Sequence, residues 1–156
     1  GSIMSNNMGL ATIDPSDYVS PDVINSNFRR LDTLGLDYII ESGTSGEWWY
    51  RKWKSGRAEC GIDSKQFTAQ KMEDIGPNKI MYRTQYNSFG AYPISFAARP
   101  YVSITFEGDL KNMYRGSFVV PQHSVSTTAS PSFFIVDWSN DDMEPMVGIY
   151  VTGRYK

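Results

Sequence analysis

The chain of 156 residues contains one cysteine and one histidine. A lone Cys excludes an intrachain disulfide, and a lone His excludes the common zinc sites built from several imidazoles. No apolar run approaches the roughly 18 residues that a membrane-spanning helix requires, so no membrane insertion is expected. The polar start Gly1-Ser2-Ile3-Met4-Ser5 lacks the charged and apolar regions of a signal peptide. Gly1-Ser2 reads as a cloning remnant, and the chain is expected to be made in the cytoplasm without a leader. Positive charge is not in excess: 15 Lys and Arg stand against 17 Asp and Glu, a net of −2. That balance disfavours non-specific nucleic-acid binding, which needs a basic footprint. GxxxxGK[ST], GxGxxG and GxSxG are all missing, so phosphate cradles and nucleophile elbows have no support and no enzyme is expected.

What remains is the composition of a folded domain, with 40% hydrophobic and 21% charged residues. A chain this long buries roughly 68–70% of its unfolded surface, enough for one core without a metal, cofactor or disulfide. Aromatic residues are abundant, with four Trp, ten Tyr and eight Phe.

Residues 1–19 read as the cloning remnant followed by a polar, irregular arm. Ser20-Pro21-Asp22 is a helix start: Ser caps free amides, Pro fits the first helical position, and Asp suits the positive end of the dipole. Ile24, Phe28 and Leu31 follow at helical spacing and Gly35 is placed to stop the helix, which gives a short amphipathic helix over 20–35. Its apolar stripe either covers the open end of a β core or forms a short self-associating seam.

Period two takes over in the region 36–156. Strands are expected over Leu36–Glu41, Glu47–Lys54, Arg57–Ile62, Lys79–Gln85, Ile94–Ala97, Tyr101–Phe106, Ser117–Val120, Ser124–Thr128, Phe133–Trp138 and Val147–Tyr155. Short strands separated by turn residues predict a mainly β fold, an antiparallel sandwich or jelly-roll-like domain with one N-terminal helix. With Ser55-Gly56 as a two-residue hairpin turn, Lys52 faces Glu59, Trp53 faces Ala58 and Trp49 faces Ile62. Trp49 and Trp53 then point inward, and Trp48 and Tyr50 point outward to a subunit interface or a ligand. Arg51 shares the inward face and has no evident partner. Tyr86, Phe89 and Tyr92 lie among Asn87, Gly90 and Pro93, turn formers that favour exposure, which makes them the first ligand candidates. Asp137, Asp141, Asp142 and Glu144 form either a solvated turn, a calcium site or a carboxylate pair. His123 has no partner fixed by sequence.

Several segments together resemble a known family. Glu41-Ser42-Gly43-Thr44-Ser45-Gly46, then Tyr50-Arg51-Lys52-Trp53 and Ser55-Gly56-Arg57-Ala58-Glu59-Cys60, are similar to the opening of the C-terminal domain of tail-fibre and minor structural proteins of phages and prophages of Gram-positive hosts. Tyr92-Pro93-Ile94-Ser95-Phe96 with Pro100, Ser126-Thr127-Thr128 before Phe133-Phe134, and the ending Gly153-Arg154-Tyr155-Lys156 follow in the family's order. Upstream, Asn25-Ser26-Asn27-Phe28-Arg29-Arg30-Leu31-Asp32 is similar to its short helix. Cys60-Gly61-Ile62 stands where Cys-Trp-Gly is frequent, and Tyr155 where Trp is common.

The resemblance implies a homotrimeric virion component at the distal end of a tail fibre or baseplate, joined to an upstream shaft and touching the host surface. It implies binding of a bacterial cell-surface or cell-wall saccharide without catalysis, through variable loops matched by Tyr86–Tyr92, Lys111–Arg115 and Ser139–Met143. Those loops add Asn112 and Tyr114 to the ligand candidates Tyr86, Phe89, Tyr92, Trp48 and Tyr50, while Ile24, Phe28 and Leu31 are the candidate oligomer seam. The rivals are a purely structural trimerising or capping module of the fibre and, less favoured, a polysaccharide depolymerase.

Overall fold

In the computed structural model, residues 3–5, 9–13, 21–68, 70–78 and 80–156 are described. The chain divides into two compact units, Gly1–Ile39 and Ile40–Lys156.

In the first unit, β1 (Ile3–Ser5) and β2 (Ala11–Ile13) pair antiparallel with Ile3 opposite Ile13, so the expected irregular arm contains a small hairpin. Helix α1 spans Pro21–Thr33, as the spacing of Ile24, Phe28 and Leu31 predicts. The expected cap, Ser20, lies outside the described residues. The helix ends where Gly35 takes φ +70°, which lets the Leu34 N–H donate to Arg30 O at 3.0 Å and the Leu36 N–H to Leu31 O at 3.1 Å. Phe28 stacks on Tyr38 at 5.2 Å, and the Tyr38 hydroxyl donates to the Asp32 carboxylate at 3.0 Å. Leu31 is half-buried, whereas Ile24 and Phe28 are exposed.

The second unit is an antiparallel β-sandwich. One sheet contains β3 (Ile39–Ser45), β4 (Trp48–Trp53), β5 (Arg57–Gln66), β11 (Pro145–Arg154) and β8 (Tyr101–Asp109), in the order β3-β4-β5-β11-β8. The other contains β6 (Glu73–Ile75), β7 (Met81–Arg83), β10 (Phe133–Asp137) and β9 (Phe118–Pro121), in the order β6-β7-β10-β9. Alternation supplies the core. Ala58, Cys60 and Ile62 of β5 and Val147, Ile149 and Val151 of β11 face Phe133 and Ile135 of β10. Burial pushes the Cys60 thiol up to about 12, with the neighbouring Glu59 charge adding to the effect.

The β4–β5 hairpin differs from the sequence expectation by one residue. The turn is longer than Ser55-Gly56: Gly56 takes φ +103° and its N–H donates to Trp53 O at 3.0 Å. Lys52 therefore pairs with Ala58, Arg51 with Glu59, Tyr50 with Cys60 and Trp49 with Gly61. A slip of one residue exchanges the two faces of a strand. Trp48 is buried and Tyr50 lies half-buried against the core, while Trp49 and Trp53 occupy the outer face.

The segment between β7 and β8 departs further from expectation. Ile94–Ala97 is not a strand, and neither is Ser124–Thr128. Instead Phe89, Tyr92, Ile94 and Phe96 plug the space between the sheets. Phe89 stacks on Phe133 at 5.4 Å and meets Phe67 edge-on at 5.3 Å, and Tyr92 meets Trp48 edge-on at 5.7 Å. The turn residues keep their function, with Gly90 at φ +83°, but the turns aim the rings inward. Phe89 N–H donates to Ser130 Oγ at 3.1 Å and Tyr92 N–H to Thr128 O at 2.8 Å, so the buried backbone is satisfied. No helix among the described residues is long and apolar enough to cross a membrane.

Candidate functional site

The chain enters the sandwich at Ile40, at the end of the sheet where β4 finishes and β5 starts. β3 lies next to β4 in the sheet, and a Lys52–Glu41 ion pair of 3.2 Å joins the two at that end. The C-terminal residues lie there too, with Arg154 opposite Arg57. The loops 110–117 and 138–144 leave β8 and β10 at the other end.

Those two loops form a cleft of about 540 Å³ lined by Lys111, Asn112, Arg115, Asn140, Asp141 and Asp142. Arg115 holds it together. Its side chain is almost wholly buried, and its Nε donates to Asp137 Oδ2 at 2.8 Å. Nη2 donates to Ser139 O at 3.0 Å and Nη1 to Asp142 O at 3.2 Å, while Nη1 also lies 3.5 Å from Asp109 Oδ2. Asp109 Oδ1 accepts from the backbone N–H groups of Lys111, at 3.0 Å, and Glu144, at 2.9 Å. One guanidinium and two buried carboxylates thus tie both loops to the strand ends, an arrangement whose cost of desolvation is offset only while every partner is present.

Burial alone would raise the Asp137 carboxyl. Hydrogen bonds from Ser139 N–H, Ser117 O–H and Arg115, together with the Arg115 charge, outweigh burial and hold it below its ordinary value. Within the acidic cluster, Asp137 is therefore a buried structural anion, and Asp141 and Asp142 are exposed on the cleft wall. Among the described residues, no group of three or more His, Cys, Asp and Glu side chains is placed to hold a metal ion.

The sequence candidates separate on burial. Asn112 lines the cleft, and Tyr114, two residues on in the same loop, is 90% exposed. The Tyr114 N–H donates to Asn112 Oδ1 at 3.1 Å, which closes the loop tip into a small turn. Tyr86 is 54% exposed at the opposite end of β10, edge-on to Phe134 at 5.5 Å. Phe89, Tyr92 and Trp48 are 6–8% exposed, and Tyr50 lies against the core. The expectation of outward rings at these four positions is corrected: the register slip turned Trp48 and Tyr50 inward, and the sheet gap drew in Phe89 and Tyr92. Arg115 escaped the sequence reading as an organiser. The available signal was one Arg inside a loop flanked by Asp109 and Asp137, but only the fold places those residues together.

A feature not anticipated from sequence occupies the outer face of the five-stranded sheet. Trp49 lies over Gly61, where a Cβ would come within 2.8 Å of its ring. It also faces Tyr150 at 6.0 Å and donates from Nε1 to Asp63 Oδ1 at 2.9 Å.

No family model and no curated protein matches this sequence. Among solved structures, the chain is similar to the C-terminal part of the R1 pyocin fibre of P. aeruginosa, with a TM-score of 0.52 and 12% identity over 91% of this chain. The chain spans 39% of that fibre structure. The neighbour comes from a Gram-negative source, so the likeness carries no restriction to Gram-positive hosts. The β-sandwich described here is thus a tail-fibre-like fold.

Proposed function

We propose that this chain is the host-recognising tip domain of a phage- or pyocin-type tail fibre. It binds a bacterial surface saccharide without making or breaking covalent bonds, works as a homotrimer, and sits at the distal end of a virion tail on an upstream shaft or baseplate. The observation that carries the reading is the fold likeness to a pyocin fibre over 91% of this chain. The cleft gives it a location, because its loops lie at the end of the sandwich opposite Ile40, where a fibre tip meets its target. There the Asn112 and Asn140 amides and the Asp141 carboxylate supply the donors and acceptors that sugar hydroxyls pair with. The exposed Tyr114 side chain, on the same loop as Asn112, offers an apolar platform for a sugar face. Arg115 makes the cleft rigid before any ligand arrives, which lowers the entropic cost of binding. Weak single sites are multiplied by three copies on one fibre. The uncovered Ile24 and Phe28 on α1 fit a seam between copies.

The test is adsorption of the labelled chain to a panel of bacterial strains, with and without periodate oxidation of their surface glycans. Periodate-sensitive binding to at least one strain, with no release of reducing ends from wall material, is the expected result. A chain that is trimeric yet adsorbs to no strain favours the structural-module rival, and reducing-end release favours the depolymerase.

A further inference from the structure

At the end of the sandwich opposite the cleft, the loop between β9 and β10 borders two adjoining hollows of about 300 and 490 Å³. Gln122, His123, Ser124, Ser126 and Pro131 line both, so the two form one trough. Arg99 lies in the first hollow, and Tyr86 and Ser132 in the second, with His123 common to both.

The loop that forms the trough wall is held from beneath. Gln122 N–H donates to Ser132 O at 2.8 Å, Phe96 N–H to Thr127 O at 3.0 Å, and Ser130 N–H to Gly90 O at 2.9 Å. Ser126 Oγ accepts from the N–H groups of Thr128, at 3.2 Å, and Ala129, at 3.0 Å. A loop without regular structure is thereby fixed in one shape by its own backbone. The Gln122 and His123 side chains are not consumed in the process. Among the described residues, the Gln122 amide and the His123 imidazole make no hydrogen bond. Arg99 spends only Nε, which donates to Ser124 O at 2.6 Å.

Charge selects the ligand class. The chain carries 17 acidic residues and a net charge of −2, yet no Asp or Glu lines either hollow among the described residues. The cation in the lining is the Arg99 guanidinium, and the His123 imidazole adds a ring N–H donor. Beyond the far end the Arg83 guanidinium lies 5.1 Å from the Tyr86 ring and is paired at 3.6 Å with Glu73, so it adds no net charge. An aromatic ring, free amide and hydroxyl groups and an Arg–His pair describe a surface for a sugar chain that carries anionic groups.

We infer that this trough is a second binding site, separate from the loop cleft, for an oligosaccharide bearing carboxylate or phosphate groups. The Arg99 Nη groups and His123 meet the anion, Gln122 and Ser132 meet hydroxyls, and Tyr86 supports a ring face. The site stands on its own geometry and does not require the cleft to bind.

The experiment titrates the whole chain with three probes: oligogalacturonate, its methyl ester, and an oligomer of glycerol phosphate. The two anionic probes distinguish carboxylate from phosphate as the recognised group. At least one is expected to bind about tenfold or more tighter than the neutral ester, the worth of one charge-assisted hydrogen bond, and to weaken as salt is raised. His123→Ala and Tyr86→Ala, which remove no hydrogen bond of the fold, should each reduce that binding several-fold, with Tyr114→Ala leaving it unchanged. Arg99→Ala should reduce it most, with the melting temperature recorded because its bond to Ser124 is also lost. Failure of both anionic probes to bind tighter than the neutral ester, or binding indifferent to His123→Ala and Tyr86→Ala, overturns the inference. Adsorption to bacteria that depends on Tyr114 but not on His123 would leave the tip reading intact while removing this site.

Discussion

Arg51 Nη1 lies 3.2 Å from Glu59 Oε1, directly across the β4–β5 ladder. Glu59 is buried, and its other oxygen accepts from the Tyr150 hydroxyl and lies 3.7 Å from Arg57 Nη2. The Glu59 hydrogen bond, followed by burial and the carboxylate charge, raises the Tyr150 phenol above its ordinary value. Arg51 therefore has the acidic partner that the sequence register denied it. On the same face the Arg51 guanidinium lies 5.2 Å from the Trp49 ring, and Arg57 lies 4.7 Å from that of Trp53.

The first prediction follows from this register. Trp48→Ala should destabilise the domain by about 3–5 kcal/mol, because it empties a core position against Tyr92 and Phe89. Trp53→Ala should cost about 1 kcal/mol, the scale of one half-exposed cation–π contact. Urea unfolding of the two variants gives the comparison, and equal losses would speak against the observed faces.

Most of the architecture was legible from patterning. The 3.6-residue spacing of Ile24, Phe28 and Leu31 marked the helix, and alternation in Tyr101–Phe106 and Val147–Tyr155 marked β8 and β11. The hairpin register was not legible, because Ser55-Gly56 fits either a two-residue turn or the end of a longer one. The decisive term was burial of Ala58, Cys60 and Ile62, which fixes the face of β5 and through it that of β4. Phe89 and Tyr92 were misplaced for a related reason: Gly90 and Pro93 report that the chain turns and say nothing of which side the rings take. At the candidate site, Asn112 and Tyr114 were legible as loop residues. The clamp of Arg115 on Asp109 and Asp137 depends on pairs far apart in sequence.

The clamp has an acid signature. Asp137 is held below its ordinary value of 3.8, so its contribution is fully present above that value and is lost as pH falls through the lower folded value. Thermal melts between neutral pH and pH ~2 should show a loss of stability on this acid side that is smaller in Asp137→Asn. Arg115→Met, which strands two buried carboxylates, should cost about 3–5 kcal/mol at neutral pH. A variant melting within a degree of the parent would remove the clamp from the account.

Cys60, with its thiol pushed up to about 12 and no exposed surface, should resist iodoacetamide at neutral pH in the native chain and react on unfolding. Mass spectrometry after timed labelling checks this. Rapid native labelling would mean that the sandwich opens between β5 and the aromatic plug.

Self-association should depend on the helix stripe. Light scattering at micromolar concentration is expected to give a trimer mass for the parent chain, and Phe28→Asp should shift it toward monomer by placing a charge in an apolar seam. A parent mass near 17.7 kDa would contradict trimer formation.

The most direct measurement is a binding isotherm of the chain on an adsorbing bacterial strain and on surface saccharide released from it, with Tyr114→Ala and Asn112→Ala beside the parent. A saccharide-binding tip predicts saturable binding to cells and free saccharide alike. It also predicts that Tyr114→Ala loses about 1–3 kcal/mol while mass and melting temperature stay unchanged. Binding that persists on cells stripped of surface saccharide, or that is indifferent to both substitutions, would contradict recognition through the loop cleft.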